Sequence, residues 1–143
     1  PPKRICLTVP YVRQHHDSCA PATLSALTGY WGRQISHDRI VESICYTGTP
    51  PHRVRDWAAE NGWFLREFTL TWEVARRLID RSIPFAVEIA EPVGRHLHAV
   101  IGYDGIRRSL LIRDPSLYFT LEVEADKYLN TAGEWALFSK TTN

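Results

Sequence analysis

The residue types and spacing around Cys19 suit nucleophilic chemistry on a carbonyl. Cys19 lies in Val12-Arg13-Gln14-His15-His16-Asp17-Ser18-Cys19-Ala20-Pro21-Ala22-Thr23-Leu24. A free thiol has a pKa of about 8.5 and is mostly protonated at neutral pH. A helix N-terminus supplies partial positive charge that favours the thiolate, and an adjacent imidazolium favours it further. Asp17 or Ser18 can cap a helix that begins at Cys19, and Pro21 is tolerated in its first turn. Attack on a carbonyl develops negative charge on oxygen, which fixed N–H donors stabilise. The Cys19 backbone N–H and the Gln14 side-chain amide are candidates for that role.

Two histidines can supply the base. His96 and His98 lie in His96-Leu97-His98-Ala99-Val100-Ile101-Gly102-Tyr103-Asp104, and strand alternation points both to one face. The orienting acid is Asp114, at the end of Leu110-Leu111-Ile112-Arg113-Asp114-Pro115. Pro115 holds the preceding residue extended. The turn between these segments makes them a hairpin, so the carboxylate can meet an imidazole. Asp104-Gly105 is a turn signal, and Asp104 reads as structural.

Other chemistries find less support. Adjacent His15 and His16 in an extended segment point to opposite faces and do not share one ion. His37 and His52 have no acidic or thiol partner nearby in sequence, so neither a metal site nor a cofactor is expected. The three cysteines form no Cys-x-x-Cys pair, which argues against structural zinc or a disulfide framework. Cys6 and Cys45 read as buried structural thiols. The net charge of +1 gives no electrostatic case for nucleic acid. Arg76-Arg77 and Arg107-Arg108 read as solvated pairs. No apolar run approaches the roughly 20 residues that span a bilayer.

The elements that must position these groups follow from periodicity. With 143 residues, 44% hydrophobic and 23% charged, the chain reads as one globular domain over residues 1–143. Its opening Pro1-Pro2-Lys3-Arg4 without an initiator Met suggests a domain excised from a longer protein. Residues 5–13 form a short strand or extended arm. Residues 19–31 carry apolar groups at helical spacing, with Gly32 as a stop. Further helices are expected from Ser36, from Thr49-Pro50-Pro51 to Asn61-Gly62, and from Thr71 to Ser82. Strands are expected over 63–70, 85–90, 96–103, 110–113, 119–123 and 135–138, with a loop over 91–95. Helices first and strands later predict an α+β fold, a helical half packed on an antiparallel sheet.

With these residues assembled, the chain resembles the bacterial family-thirty-nine peptidases, which are papain-like cysteine peptidases. The resemblance rests on Val9-Pro10-Tyr11-Val12-Arg13-Gln14, on Cys19 to Leu24 with Tyr30-Trp31-Gly32, and on His96 through Gly102-Tyr103-Asp104 to Asp114-Pro115. The best-known members are leader-peptidase domains of bacteriocin exporters, which cut after a Gly-Gly pair. The closer likeness is to the thirty-nine-like branch, whose members can carry tetratricopeptide repeats elsewhere in the parent protein. The resemblance implies a papain-like fold, a peptide or protein substrate, Cys19 as nucleophile, Gln14 as oxyanion donor and Asp114 as orienter. It also selects His96, because the family places its base six residues before the Gly of Gly-Tyr-Asp. Ala20 stands where many relatives have Gly, and no transporter segments accompany the domain. The same triad would serve an amidase or acyltransferase, and the same fold without turnover would serve as a peptide-binding module. Loops 46–52 and 91–95 are expected to flank the cleft, with Tyr46, His52 and Trp57 as substrate contacts.

Overall fold

The computed structural model describes residues 3–13, 19–32, 51–91 and 94–140. The chain runs β1 (Arg4–Cys6), α1 (Cys19–Tyr30), α2 (Pro51–Glu60), β2 (Trp63–Glu67), α3 (Trp72–Asp80), β3 (Phe85–Glu91), β4 (Gly94–Asp104), β5 (Ser109–Arg113), β6 (Leu121–Glu124), α4 (Ala125–Thr131) and β7 (Ala132–Lys140). The strands form one antiparallel sheet in the order β2-β7-β3-β4-β5-β6, and β1 adds to β4. This is the α+β arrangement of helices and an antiparallel sheet expected from the sequence. The helix expected from Ser36 lies outside the described residues.

Helices cover both faces of the sheet, so the division into a helical and a sheet half holds only for the order along the chain. On one face α1 and α2 pack through Leu24, Ala26, Leu27, Trp57 and Ala58 against Ala86, Ala99, Ile101 and Leu111. On the other, α3 and α4 pack through Ala75, Ile79, Ala125 and Tyr128 against Phe85, Val87, Val100, Leu110 and Ile112. Burying each large side chain of this kind stabilises the fold by about 1.5–3 kcal/mol. Alternation along β4 explains the partition. Leu97 and Ala99 face α1, while His98 and Val100 face the opposite cluster.

Several boundaries follow from local chemistry. Thr71 caps α3 by accepting a hydrogen bond from the Val74 N–H. Gly32 and Gly62 adopt positive φ (81° and 77°), the left-handed conformation that glycine reaches without steric cost. Gly102 answers to a close approach instead. A Cβ there would lie 2.1 Å from the Ile5 carbonyl oxygen and 3.0 Å from the Cys6 Cα, so β1 crosses β4 only over a glycine. Asp104 closes the β4–β5 turn by accepting from the Ile106 and Arg107 N–H groups at 2.9 Å each, and pairs with Arg4 at 2.9 Å. The Arg107 N–H, with Arg4 and the Ile106 N–H adding to it against burial, holds the Asp104 carboxyl below its ordinary pKa. Its structural reading is therefore correct.

Four expectations need correction. Cys6 is exposed; among the described residues β1 pairs with β4 alone. Trp57 is buried in the α1-side cluster, so it is a packing residue and not a cleft contact. The loop expected over 91–95 is shorter: strand pairing continues to Glu91 opposite Gly94. Residues 125–131 form a helix that the pattern did not predict. Of the arginines, Arg76 and Arg108 stand over the Trp72 ring, with Cζ 5.6 and 5.1 Å from its centroid. They also pair with Glu73 and Asp126, so they do more than meet solvent.

Candidate active site

The site is organised by α1, which begins at Cys19. The first helical residues carry the unpaired N–H groups and positive end of the helix dipole. Pro21 fits there because its missing N–H would have no intrahelical partner. The helix is anchored four residues on: Thr23 is buried, and its hydroxyl donates to the Leu97 carbonyl of β4 at 3.0 Å. That bond ties the first turn of α1 to the strand residue between His96 and His98. The far end of α1 is held by Tyr30, whose hydroxyl donates to the Ser82 carbonyl at 2.7 Å.

The arm leading toward Gln14 is also fixed. Leu7 donates to the Ile101 carbonyl at 2.8 Å, and Val9 is buried in the α1-side cluster. Pro10 passes close to Gly29, where an added Cβ would lie 3.1 Å from the proline Cγ. The chain thus crosses α1 shortly before Gln14. Gln14, His15, His16, Asp17 and Ser18 lie outside the described residues, as do His37, Cys45 and Tyr46. The side chains of Cys19, His52 and His96 lie outside them too.

The backbone of β4 places His96 opposite Ile89 and His98 opposite Val87. Its other edge pairs Ala99 with Arg113, so Asp114, one residue beyond, lies across from His98. Diagonal neighbours on such a ladder are within reach of long or aromatic side chains, which is where His96 stands. Asp114 is buried. Its Oδ1 accepts from the Ser116 N–H at 2.8 Å and from the Ser116 hydroxyl at 2.6 Å, an Asx-type turn. Its Oδ2 lies 3.8 Å from His98 Nδ1, an electrostatic contact longer than a hydrogen bond. The other ring nitrogen, His98 Nε2, is 2.5 Å from the Tyr128 hydroxyl.

His98 therefore has one ring nitrogen against the Tyr128 hydroxyl and the other facing the Asp114 carboxylate. A base that takes a proton from a thiol needs a nitrogen turned toward it. Sequence reasoning missed Tyr128, Thr23 and Ser116. Only Ser116, two residues after an Asp in an Asp-Pro turn, carried a local signal. Burial raises the Tyr128 pKa well above its ordinary value, and the Asp114 charge raises it further. Among the described residues, no group of three or more His, Cys, Asp or Glu side chains is placed to hold a metal.

A family model described as Peptidase_C39 like family matches residues 6–143. The chain belongs to that family. No curated protein matches it by sequence. Solved structures share its fold. The peptidase domain of Streptococcus ComA, a bifunctional ABC transporter of a quorum-sensing pathway, superposes with a TM-score of 0.77 at 19% identity, covering 91% of this chain and 97% of that one. A double-glycine-motif protease from an AMS/PCAT transporter, solved with its leader peptide, gives 0.74 at 15% identity over 95% and 94%. The peptidase C39-like domain of a Vibrio parahaemolyticus toxin-secretion ATP-binding protein gives 0.63 at 15% identity over 90% and 98%. The family and this fold support a cysteine peptidase of the papain-like kind. Among the described residues, no helix is long and apolar enough to cross a membrane.

Proposed function

We propose that the C39-like domain hydrolyses peptide bonds with Cys19 as nucleophile, His96 as base, Asp114 as orienter and Gln14 as oxyanion donor. His96 takes the proton from the Cys19 thiol, and the thiolate attacks the peptide carbonyl carbon. The Cys19 N–H and the Gln14 amide hold the oxyanion. As the tetrahedral intermediate collapses, the C–N bond breaks and His96 protonates the leaving amine. His96 then deprotonates a water that attacks the thioester, releasing the acid and restoring the thiol. The substrate is a peptide or protein segment, as a leader peptide is for the AMS/PCAT relative.

One observation carries this reading. The Thr23–Leu97 hydrogen bond sets the start of the Cys19 helix beside the strand that bears His96, while His98 Nε2 is engaged by the Tyr128 hydroxyl. A peptide library digested by the wild-type protein and by Cys19→Ala, read by mass spectrometry, tests it. Cleavage by the wild type alone is expected. Ammonia release without chain cleavage would make the domain an amidase, and no turnover by the wild type would end the hydrolase reading.

A further inference from the structure

Behind the proposed triad, its Asp114 continues into two buried ionisable groups that the hydrolytic mechanism does not use, His98 and Tyr128. Tyr128, His98 and Asp114 are 6%, 4% and 9% exposed. They come from three elements, α4, β4 and the end of β5. The Tyr128 hydroxyl meets His98 Nε2 at 2.5 Å, and His98 Nδ1 faces Asp114 Oδ2 at 3.8 Å. Buried polar groups of this kind are costly unless their donors and acceptors match.

The matching can be worked out. Desolvation keeps the Tyr128 hydroxyl protonated, and a phenol is a good donor toward imidazole nitrogen. Nε2 then accepts, and in the neutral ring the hydrogen resides on Nδ1, the nitrogen that faces the carboxylate. The opposite tautomer would aim the Nδ1 lone pair at a carboxylate inside the protein, where such a repulsion is weakly screened. Asp114 Oδ1 already accepts twice from Ser116. With His98 Nδ1 facing Oδ2, both oxygens of the carboxylate meet fixed groups, and the position of His96 is its diagonal neighbour along the strand.

We propose that Tyr128 and His98 are positioning residues. They fix the orientation of the Asp114 carboxylate, so that it can hold His96 for proton transfer with Cys19. This rests on the peptidase reading above, and it assigns the second histidine a role distinct from that of the base.

Two measurements test it. Long-range proton–nitrogen NMR of the ring-labelled protein should show His98 protonated at Nδ1 and unprotonated at Nε2, with the proton staying on Nδ1 in Tyr128→Phe while the Nε2 resonance moves downfield to that of a nitrogen accepting no hydrogen bond. A wild-type His98 with its proton on Nε2 overturns the assignment. The second readout is the iodoacetamide alkylation rate of Cys19, resolved by peptide mass spectrometry with exposed Cys6 as internal reference. Loss of one hydrogen bond in Tyr128→Phe should slow Cys19 about fivefold. His98→Leu should slow it at least as much, and His98→Asn, which restores a donor toward Asp114, should recover most of the rate. Tyr128→Phe is the gentler change and keeps the test open if His98→Leu fails to fold. Unchanged rates in both variants on an activated Cys19 overturn the positioning role alone. A wild-type Cys19 that alkylates no faster than a free model thiol overturns the peptidase reading and the positioning role with it.

Discussion

The two faces of the sheet are built from different materials. Toward α1 the buried residues include many alanines, Ala26, Ala58, Ala86 and Ala99, and the buried Thr23 and Thr28 bond to backbone carbonyls. Toward α3 and α4 the residues are larger, Phe85, Ile79, Val87, Val100 and Leu110, and ionisable groups are buried among them: His98 with Tyr128, and Tyr103 with its hydroxyl 2.6 Å from Asp80. Small residues bring a helix close enough for its side chain to bond a strand carbonyl. That face sets position. The other supplies bulk and places charge. In the proposed mechanism the reach of the thiol and the electrostatics of its partners would be controlled from opposite sides of one strand.

The comparison can be broken most severely at the point where both faces depend on β4. Gly102→Val drives a side chain into the Ile5 backbone, which cannot yield as a flexible side chain would. Destabilisation of about 4 kcal/mol or more is expected, read as lost soluble yield or lost cooperative melting. Phe85→Ala, on the α3 side, should cost about 3–5 kcal/mol in denaturant unfolding while leaving Cys19 alkylation close to wild type. Ala99→Leu, on the α1 side, should reverse that balance. Overpacking costs about 1–3 kcal/mol, but it pushes α1 from the strand, so Cys19 reactivity falls further than stability does. Thr23→Val removes the bond to Leu97 for about 1 kcal/mol, with the same bias toward lost reactivity. If Phe85→Ala and Ala99→Leu affect alkylation equally, the division between the faces is wrong.

The smallest effect sharpens the charged face. Burial first, then Asp80, pushes the Tyr103 hydroxyl up to about 12. A folded-state pKa above the unfolded value of about 10 means that the native state holds this proton longer. Its contribution is complete below pH 10 and is lost as pH rises through 12. Tyr103→Phe should flatten that part of the stability–pH curve, as measured by urea unfolding.

Much of this was legible in the sequence because it is local. The start of α1 at Cys19, the Thr71 cap, the Asp104 turn and the β4–β5 hairpin each rest on residues a few positions apart. What was not legible depends on distant partners. Helix α4 has only seven residues, too few to show a helical period, and Tyr128 gains meaning only from His98 across the fold. Cys6 reads as buried because its neighbours are apolar, yet exposure depends on what covers β1. Trp57 reads as a cleft aromatic for the converse reason. The equivalence of His96 and His98 under strand alternation shows the same limit, since a period of two cannot say which imidazole another element has engaged.

That last distinction is the core of the account, and site-resolved alkylation of Cys19 by iodoacetamide near neutral pH in the wild type, His96→Ala and His98→Ala tests it directly. The account predicts a fast wild-type rate that falls in His96→Ala to that of a free model thiol, and only about fivefold in His98→Ala. A rate abolished in His98→Ala and preserved in His96→Ala would contradict it.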